Sequence, residues 1–385
     1  MNTTELEERT IIIIAASCGG GGMLLVTLCV LMICCLCYQY RKRIASSTNF
    51  SNDGKRISTI AVEESLVFNV TEQLTQVKPT YTETEIATQR RETMLGSRQH
   101  PRGDLVLEEK LGDGEYGPVY RAQSYNLPGK KGSRVVTVKM LLEDASEAHR
   151  IAFEKDIALL NSFNHVNVMG VLAVCTGESP QCILLDAGLP GSLLTHLREA
   201  KRLARQKIPA KQLLVDMTSP ASLLHMADDV CLGMAYLSSQ AFVVKDLAAR
   251  NCIVGADGRV KVADFGVGPS VFPEAYCTLH GRPSPLRWMA AESIESGQYS
   301  TASDIWAFGV FIWELFTGGD LPYTEMSDDE VVRYVTKECG KLQMPENCPS
   351  DVYTIMLSCW ENEAKSRQLF LTLHEHLFEL AGEQN

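Results

Sequence analysis

The segment Val244–Asn251 places a carboxylate and a side-chain amide close together, on Asp246 and Asn251. Phosphoryl transfer needs both groups, because a carboxylate orients the attacking hydroxyl and an amide oxygen helps to hold the metal ion beside the phosphates. The two residues stand at the spacing that this chemistry uses. Asp246 is therefore a candidate catalytic residue, and Asn251 is a candidate ligand for Mg²⁺.

A second candidate metal ligand follows in the tripeptide Asp264-Phe265-Gly266. A hard carboxylate oxygen suits Mg²⁺, and such a residue is expected where the ion bridges two phosphates. Three residues alone are a weak motif. Their position soon after Asn251, with the predicted strand Val260–Ala263 between, makes the motif much more specific.

A glycine-rich stretch lies upstream, with glycines at positions 112, 114 and 117. Glycines let backbone N–H groups approach phosphates that a larger side chain would hold away. A Rossmann nucleotide-binding loop or a simple turn would share this pattern. A Rossmann loop opens directly into a helix, whereas Val119 and Tyr120 continue a strand here. The stretch is thus interpreted as a phosphate-binding loop between two strands.

The elements that must position these residues change in kind along the chain. Strands are predicted at 105–107, 119–120 and 135–138, and helices at 148–163, 222–237 and 303–316. A strand-rich first part followed by a helix-rich second part predicts an α+β protein with two lobes. The basic stretch Arg198–Lys211 is predicted to be a solvated loop inserted in the second lobe.

The segment from Asp104 to about Leu380 resembles receptor tyrosine kinases, and most closely the protein tyrosine kinase seven family (colon carcinoma kinase, off-track in flies). The shared phrases are Phe163–Val168, Lys245–Cys252, Asp304–Gly309 and Asp328–Val331. The resemblance implies a bilobal protein kinase fold over 104–380, with an N-lobe at 104–185, a hinge at 186–189 and a C-lobe at 190–380. It also implies transfer of the ATP γ-phosphate to protein tyrosine, with Mg²⁺.

The same resemblance assigns further residues to the nucleotide site. Lys139 would contact the phosphates, and Asp156 would hold this lysine from the next helix, where kinases carry Glu. Asp is shorter by one bond, about 1.5 Å. Thr137 replaces the alanine that packs on adenine. The residues expected to bind ATP are Leu111, Gly112, Gly114, Gly117, Val119, Thr137, Lys139, Leu185, Ala187 and Ile253.

The resemblance also suggests tyrosine as the acceptor. Arg250, four residues after Asp246, is typical of tyrosine kinases, which makes it a candidate catalytic residue. Tyr276 is the only tyrosine between Asp264 and Glu292, so it is the candidate for phosphorylation of the activation loop. Glu292 is expected to have a buried partner in Arg367.

Some positions depart from the family pattern. Val244 and Lys245 stand where kinases carry His-Arg, and Thr137 and Asp156 alter the nucleotide side. A catalytically silent pseudokinase, acting as a co-receptor or scaffold in Wnt or planar-polarity signalling, is therefore the alternative that the family implies. The retained Asp246, together with both candidate metal ligands, favours a kinase.

Ile11–Tyr38 contains no charged residue, and roughly 20 apolar residues suffice to span a bilayer. Acidic residues precede it and Arg41-Lys42-Arg43 follows, which predicts a single transmembrane helix with the C-terminal bulk in the cytoplasm. A cleaved signal peptide would have a basic leading region, and a buried helix would rarely run so long without charge. Residues 1–10 would then be extracellular and 39–103 a juxtamembrane linker. Small residues at Ala15 and Gly19 could pair two such helices.

The bulk composition limits the remaining classes. With a formal charge of −11 the chain is not expected to bind nucleic acid, which attracts basic surfaces. The 13 cysteines include no C-x-x-C pair in the globular part, so neither a zinc site nor a disulfide framework is predicted. The partners expected are therefore ATP, protein substrates or signalling proteins, and membrane lipid.

Overall fold

The computed structural model describes residues 98–129, 132–208, 217–263 and 268–383. The predicted span at 11–38, nearly all of the linker at 39–103 and the Asp264-Phe265-Gly266 motif lie outside these ranges. Within them, no helix has both the length and the apolar character needed to cross a membrane.

The first lobe contains a five-stranded antiparallel sheet and one helix. The strands are β1 (Leu105–Asp113), β2 (Pro118–Tyr125), β3 (Ser133–Met140), β4 (Val171–Cys175) and β5 (Cys182–Asp186), in the order β1-β2-β3-β5-β4. The helix α1 (Glu147–Ser162) follows β3 and is capped by Ser146, whose side chain accepts from the backbone N–H of His149.

Successive side chains of β3 alternate between the two faces of the sheet, and this alternation decides which of them face the cleft between the lobes. Val136 and Val138 are buried in one cluster with β4 and β5 on one face of the sheet. Because successive side chains of a strand point to opposite faces, Thr137 and Lys139 point to the other face. That face packs on α1 through Phe153 and Ile157, which are each 1% exposed. The strand therefore carries both predicted nucleotide-site residues toward the cleft.

The second lobe is mainly helical. Its helices are α2 (Leu193–Gln206), α3 (Pro220–Ser239), α4 (Gly268–Val271), α5 (Ala291–Ser296), α6 (Thr301–Thr317), α7 (Asp328–Thr336), α8 (Ser350–Cys359) and α9 (Phe370–Glu383). Two short hairpins, β6 (Cys252–Val254) with β7 (Val260–Val262) and β8 (Cys277–Leu279) with β9 (Arg282–Ser284), connect them. Single 3₁₀ turns include Ala249–Asn251, Pro273–Ala275 and Leu286–Trp288.

Helix α6 is the centre of this lobe. Its sequence is apolar on almost all sides, and Trp306, Phe308 and Phe311 are at most 1% exposed. Such a helix must be surrounded by other elements, and here α3 and α8 pack against it. The expected pairing of Glu292 with Arg367 is confirmed, since Arg367 donates two hydrogen bonds to the Glu292 carboxylate at 2.6 and 3.0 Å.

The predicted helices at 148–163, 222–237 and 303–316 are confirmed within one or two residues at each end. The prediction of a loop over Arg198–Lys211 is wrong for residues 198–206, which belong to α2. Leu197, Ala200 and Leu203 form a buried stripe at helical spacing along α2. The basic residues occupy the solvent face of the same helix.

Candidate active site

The catalytic loop is fixed from below by α6. The carboxylate of Asp304, which is 2% exposed, accepts hydrogen bonds from the backbone N–H groups of Val244 at 2.8 Å and Lys245 at 2.9 Å. Burial raises the pKa of Asp304 to about 6, while these two hydrogen bonds act in the opposite direction. Lys245 has a φ of 70°, a conformation that non-glycine residues rarely adopt. Asp304 therefore holds a strained turn immediately before Asp246.

Asp246, Arg250 and Asn251 converge in one group. The side-chain amide of Asn251 donates to the backbone carbonyl of Asp246 at 2.8 Å. The Arg250 guanidinium pairs with Asp246 Oδ1 and lies 4.1 Å from the centroid of the Trp288 ring. Burial alone would lower the pKa of Arg250, but the charge of Asp246 and its other partners raise it, so the guanidinium stays charged.

Glu314 is a residue of this site that the sequence analysis missed. It is fully buried on α6, and its Oε2 accepts from the backbone N–H of Ala249 at 3.0 Å and from Trp288 Nε1 at 2.8 Å. Burial raises its pKa to about 7. The carboxylate thus ties the catalytic loop to the turn Leu286–Trp288. A lone acid within an apolar helix was the available signal, because a buried carboxylate needs partners.

Tyr276 reaches into the catalytic group. Its hydroxyl donates to Asp246 Oδ2 at 2.5 Å and accepts from Arg250 Nε at 3.0 Å. The Arg250 guanidinium also lies 4.8 Å from the centroid of the Tyr276 ring. Burial raises the pKa of the tyrosine hydroxyl, and the negative charge of Asp246 raises it further. The predicted phosphorylation site thus lies against the predicted catalytic base.

The observed position of the Tyr276 side chain requires glycine at position 268. A Cβ atom at Gly268 would collide with the Tyr276 hydroxyl, so a larger residue there would displace one of the two. Residues 268–276 include α4 and the turn Pro273–Ala275, and Tyr276 ends this segment.

Four of the ten residues expected to bind ATP line one cavity of about 460 Å³. Leu111, Thr137, Ala187 and Ile253 line it together, as the resemblance implied. Its volume lies within the roughly 300–1,000 Å³ usual for small-molecule sites, so its size fits a nucleotide. Leu185 is opposite Thr137 in the register of β3 and β5 and is fully buried behind the cavity wall.

The same cavity is also lined by the segment that carries Tyr276. Val271 and Phe272 form part of its wall. Ser270 Oγ accepts a hydrogen bond from the backbone N–H of Asp113, between Gly112 and Gly114, at 3.1 Å. A backbone donor of the glycine-rich loop is therefore already used by residues 268–276.

The glycine-rich loop and Lys139 are brought into register by the sheet. Val119 lies opposite Gly112 on β1 and opposite Lys139 on β3. Lys139 and Asp156 line a second, smaller cavity of about 140 Å³ under α1. Between these two described residues no ion pair is formed. The structure therefore brings the expected partners to one cavity without joining them.

ATP and Mg²⁺ would be held by residues from both lobes. Lys139 would meet the phosphates, and Asn251, in the described part of the chain, would be one ligand of the ion. The other expected ligand, Asp264, lies outside the described residues. The Asn251 amide, the neighbouring Asp246 carboxylate and the cavity of about 460 Å³ are together chemically suitable for Mg²⁺-ATP.

Comparisons with known proteins agree with this arrangement. Residues 105–377 match the family described as protein tyrosine and serine/threonine kinase. The chain is 36% identical over 287 residues to an NT-3 growth factor receptor of Sus scrofa, a match that covers 71% of this chain and 34% of the relative. It is also 36% identical over 281 residues to a high affinity nerve growth factor receptor of Mus musculus, covering 73% of this chain and 35% of the relative.

The chain thus spans about a third of the length of these receptors. Neither relative distinguishes the protein tyrosine kinase seven family from other receptor tyrosine kinases. The matched residues contain both described lobes, the glycine-rich loop and the catalytic loop. The chain belongs to the protein tyrosine and serine/threonine kinase family.

Proposed function

We propose that this chain is a receptor-type protein tyrosine kinase that transfers the γ-phosphate of ATP to a protein tyrosine. The observation that supports this most directly is the position of Tyr276. The Tyr276 hydroxyl donates to Asp246 Oδ2, while Arg250 Nε donates to the tyrosine oxygen itself. This is the contact that an acceptor tyrosine needs with its general base before transfer.

The roles of the residues follow from these contacts. Asp246 orients the hydroxyl and accepts its proton, and Arg250 holds both the carboxylate and the aromatic ring. Bound ATP supplies the phosphoryl group. Lys139, Asn251 and Asp264 hold its phosphates and the metal ion.

The depth of the site favours tyrosine over serine as the acceptor. The Tyr276 ring packs beside Arg250, and only its terminal oxygen meets Asp246. A serine hydroxyl lies on Cβ and would end well short of this carboxylate with the same backbone path.

We further propose that the described conformation is the inactive one. Tyr276 occupies the acceptor position, while Val271 and Phe272 line the nucleotide cavity and Ser270 uses the N–H of Asp113. One segment therefore occupies the acceptor position and a backbone donor of the glycine-rich loop. Phosphate on Tyr276 would remove its hydroxyl proton and add negative charge beside Asp246, and this repulsion would drive the segment out.

Membrane attachment is part of the proposal. The charge-free segment 11–38 would anchor the chain, with lipid as its partner, the kinase domain in the cytoplasm and small residues at the helix surface able to pair two copies. The name "receptor" carried by the relatives supports this placement at a cell membrane.

A catalytically silent scaffold, of the kind that acts as a co-receptor in Wnt signalling, is the second candidate. The observation that favours it is the missing ion pair between Lys139 and Asp156, together with Val244 in place of histidine. This candidate predicts no phosphate transfer under any condition.

The experiment that separates the two uses a matched pair of substitutions. The purified protein is incubated with Mg²⁺-ATP and a tyrosine peptide, beside Asp246→Asn and Asp257→Asn. Asp257 is an exposed aspartate of the β6–β7 turn and makes the same chemical change outside the site. We expect Asp257→Asn to match the unsubstituted protein and Asp246→Asn to lose about 100-fold or more in rate, the usual contribution of a general base. Equal incorporation by all three proteins would contradict the enzyme proposal.

A further inference from the structure

A salt bridge joins helix α2 to the segment that carries Tyr276. Arg198 Nη1 lies 3.6 Å from Glu274 Oε1, and both side chains are half-exposed. Glu274 stands two positions before Tyr276, whose hydroxyl lies on Asp246. The ion pair therefore forms at a defined distance in sequence from the hydroxyl that occupies the acceptor position.

The Arg198 guanidinium is held in place by the end of α6. Its Nε donates to the backbone carbonyl of Gly319 at 3.0 Å. A Cβ atom at Gly319, whose φ is +82°, would lie 2.7 Å from Leu194 Cδ1 and 3.1 Å from Arg198 Cγ, so glycine allows this backbone to approach α2 closely. One edge of the guanidinium is thus fixed, while Nη1 is directed at Glu274. An arginine that is already positioned loses less side-chain entropy when it binds a carboxylate.

Helix α2 is in turn packed against the catalytic loop. Its buried stripe includes Leu194 and Leu197, which are 4% and 1% exposed, and the helix contacts the turn Ala249–Asn251. Arg250 of that turn pairs with Asp246. The same packed core therefore positions both the Arg198 guanidinium and the Asp246 carboxylate.

The turn Pro273–Ala275 sets the spacing between Glu274 and Tyr276. The backbone N–H of Ala275 donates to the carbonyl of Phe272 at 2.9 Å, and that of Tyr276 donates to the carbonyl of Pro273 at 3.2 Å. Ala275 is buried, whereas Glu274 is exposed. The turn thus presents a carboxylate to α2 and a tyrosine hydroxyl to Asp246 at the same time.

We propose that Arg198 is a specificity-determining residue that selects acceptor tyrosines with an acidic residue two positions earlier. This role rests on the proposed function, because it takes the contacts of Tyr276 and Glu274 as those of a bound substrate. Arg198 touches neither the tyrosine hydroxyl nor the candidate metal ligands. It should therefore change the KM for a peptide more than kcat.

The test uses peptides that copy residues 270–280 with Cys277→Ser, with and without a further Glu274→Gln. Initial rates with Mg²⁺-ATP are measured over a range of peptide concentrations. We expect Glu274→Gln in the peptide to raise KM by about threefold, the usual effect of an ion pair between partly exposed groups, with kcat nearly unchanged. The peptides are compared within each protein, so that any change in the chain's own segment affects them equally.

Variants of α2 show whether Arg198 causes this preference. In Arg198→Gln the two peptides should have the same KM, and Arg198→Glu should prefer a Glu274→Lys peptide. Arg202→Gln is the matched control, because Arg202 lies one turn further along α2 and pairs with Glu199. It should keep the preference for the acidic peptide. A preference of the same size in Arg198→Gln would contradict the proposal.

The unsubstituted protein provides a second measurement if the Arg198 variants do not fold. Salt screens exposed charges, since the Debye length falls from about 10 Å at 0.1 M to about 3 Å at 1 M. The preference for the acidic peptide should therefore disappear in high salt. Equal KM values at low salt, or a preference that high salt leaves unchanged, would contradict the role of Arg198.

Amide hydrogen exchange without ATP tests the contact itself. Glu274→Gln in the full chain should speed exchange of the Ala275 and Tyr276 N–H groups by about threefold, and should have no effect in the Arg198→Gln background. Phosphorylation of both peptides with equal KM would contradict selection by Arg198 alone. If no peptide is phosphorylated, the proposed kinase is contradicted and selection by Arg198 with it, even where exchange shows the contact.

Discussion

Asp246 is engaged on three sides, by the Asn251 amide at its backbone and by Arg250 and Tyr276 at its carboxylate. Each of the three partners has a separate consequence. Asn251 fixes the backbone, Arg250 orients the carboxylate, and Tyr276 places an aromatic hydroxyl against it. The proposed phosphoryl transfer would therefore be concentrated at one carboxylate, against which a tyrosine hydroxyl lies.

The Tyr276 hydroxyl is expected to restrain the enzyme. Tyr276→Phe removes one hydrogen bond to a carboxylate and one from a guanidinium, and bonds to charged groups contribute about 1.5–3 kcal/mol each. We predict that the initial rate on a peptide substrate, measured before autophosphorylation, rises by about tenfold.

Tyr299→Phe is the matched control, because its ring lies near Lys245 and Arg282 without touching Asp246. Its initial rate should stay that of the unsubstituted protein. A Tyr276→Phe rate no higher than that of this control would contradict the restraint.

At the scale of residues, the sequence indicates which side chains meet where they share one short loop. Asp246, Arg250 and Asn251 lie within six positions, so their convergence follows from local backbone geometry. The contact between Asp246 and Tyr276 could not be predicted, because it depends on how residues 268–276 fold back. The partnership of Lys139 with Asp156 was expected from the family pattern, but the two residues line one cavity without forming an ion pair.

Helix α6 supports the site with two buried acids. Asp304 accepts from the turn before Asp246, and Glu314 accepts from Ala249 and Trp288 on the other side of the loop. The two acids lie on one apolar helix that the core surrounds, so they position the catalytic loop rigidly. Both carry raised pKa values because burial disfavours their charged forms.

The pKa of Glu314 leads to a dependence of stability on pH. Its pKa is raised from 4.5 to about 7 in the folded protein, so the folded state binds a proton more tightly than the unfolded state. The resulting stabilisation is fully present below pH 4.5 and is lost as the pH rises to about 7. Over this window the unfolding free energy of the unsubstituted protein should fall, relative to Glu314→Gln, by on the order of 3 kcal/mol.

Chemical denaturation at several pH values measures this difference. The exposed Glu338→Gln, whose carboxylate pairs only with Arg333 among the described contacts, is the control and should follow the unsubstituted profile. If the unfolding free energies of Glu314→Gln and of the unsubstituted protein change with pH in parallel, burial does not raise the pKa of Glu314.

Most elements follow from hydrophobic periodicity, which is why the helices near 148, 222 and 303 were placed within a few residues. The prediction of a loop where α2 forms was wrong for a physical reason. Its basic residues suggested a loop, but Ser192 caps its first turn and Glu199 pairs with Arg202 one turn along. Side-chain pairs at this spacing and an apolar stripe stabilise a helix whose exposed face is strongly charged.

At the scale of the molecule, residues 268–276 connect the nucleotide cavity with the catalytic loop. Phe272 lines the nucleotide cavity, and the Tyr276 hydroxyl is hydrogen-bonded to Asp246 of the catalytic loop. While Tyr276 lies on Asp246 in its own chain, the N–H of Asp113 is bonded to Ser270 and the cavity is partly walled by the same segment. We expect this use of the Asp113 N–H and of the cavity wall to weaken ATP binding while Tyr276 lies on Asp246, and we predict that phosphorylation of Tyr276 occurs between two molecules.

The most direct measurement is the time course of phosphate on Tyr276 after addition of Mg²⁺-ATP, over a series of protein concentrations. The account predicts that the initial rate rises with the square of concentration, that peptide phosphorylation follows with a lag, and that Asp246→Asn stays unmodified when alone. The unsubstituted protein should phosphorylate Tyr276 of Asp246→Asn when the two are mixed. A rate of Tyr276 phosphorylation strictly proportional to concentration would contradict the transfer between molecules, and no phosphate on Tyr276 at any concentration would contradict the kinase itself.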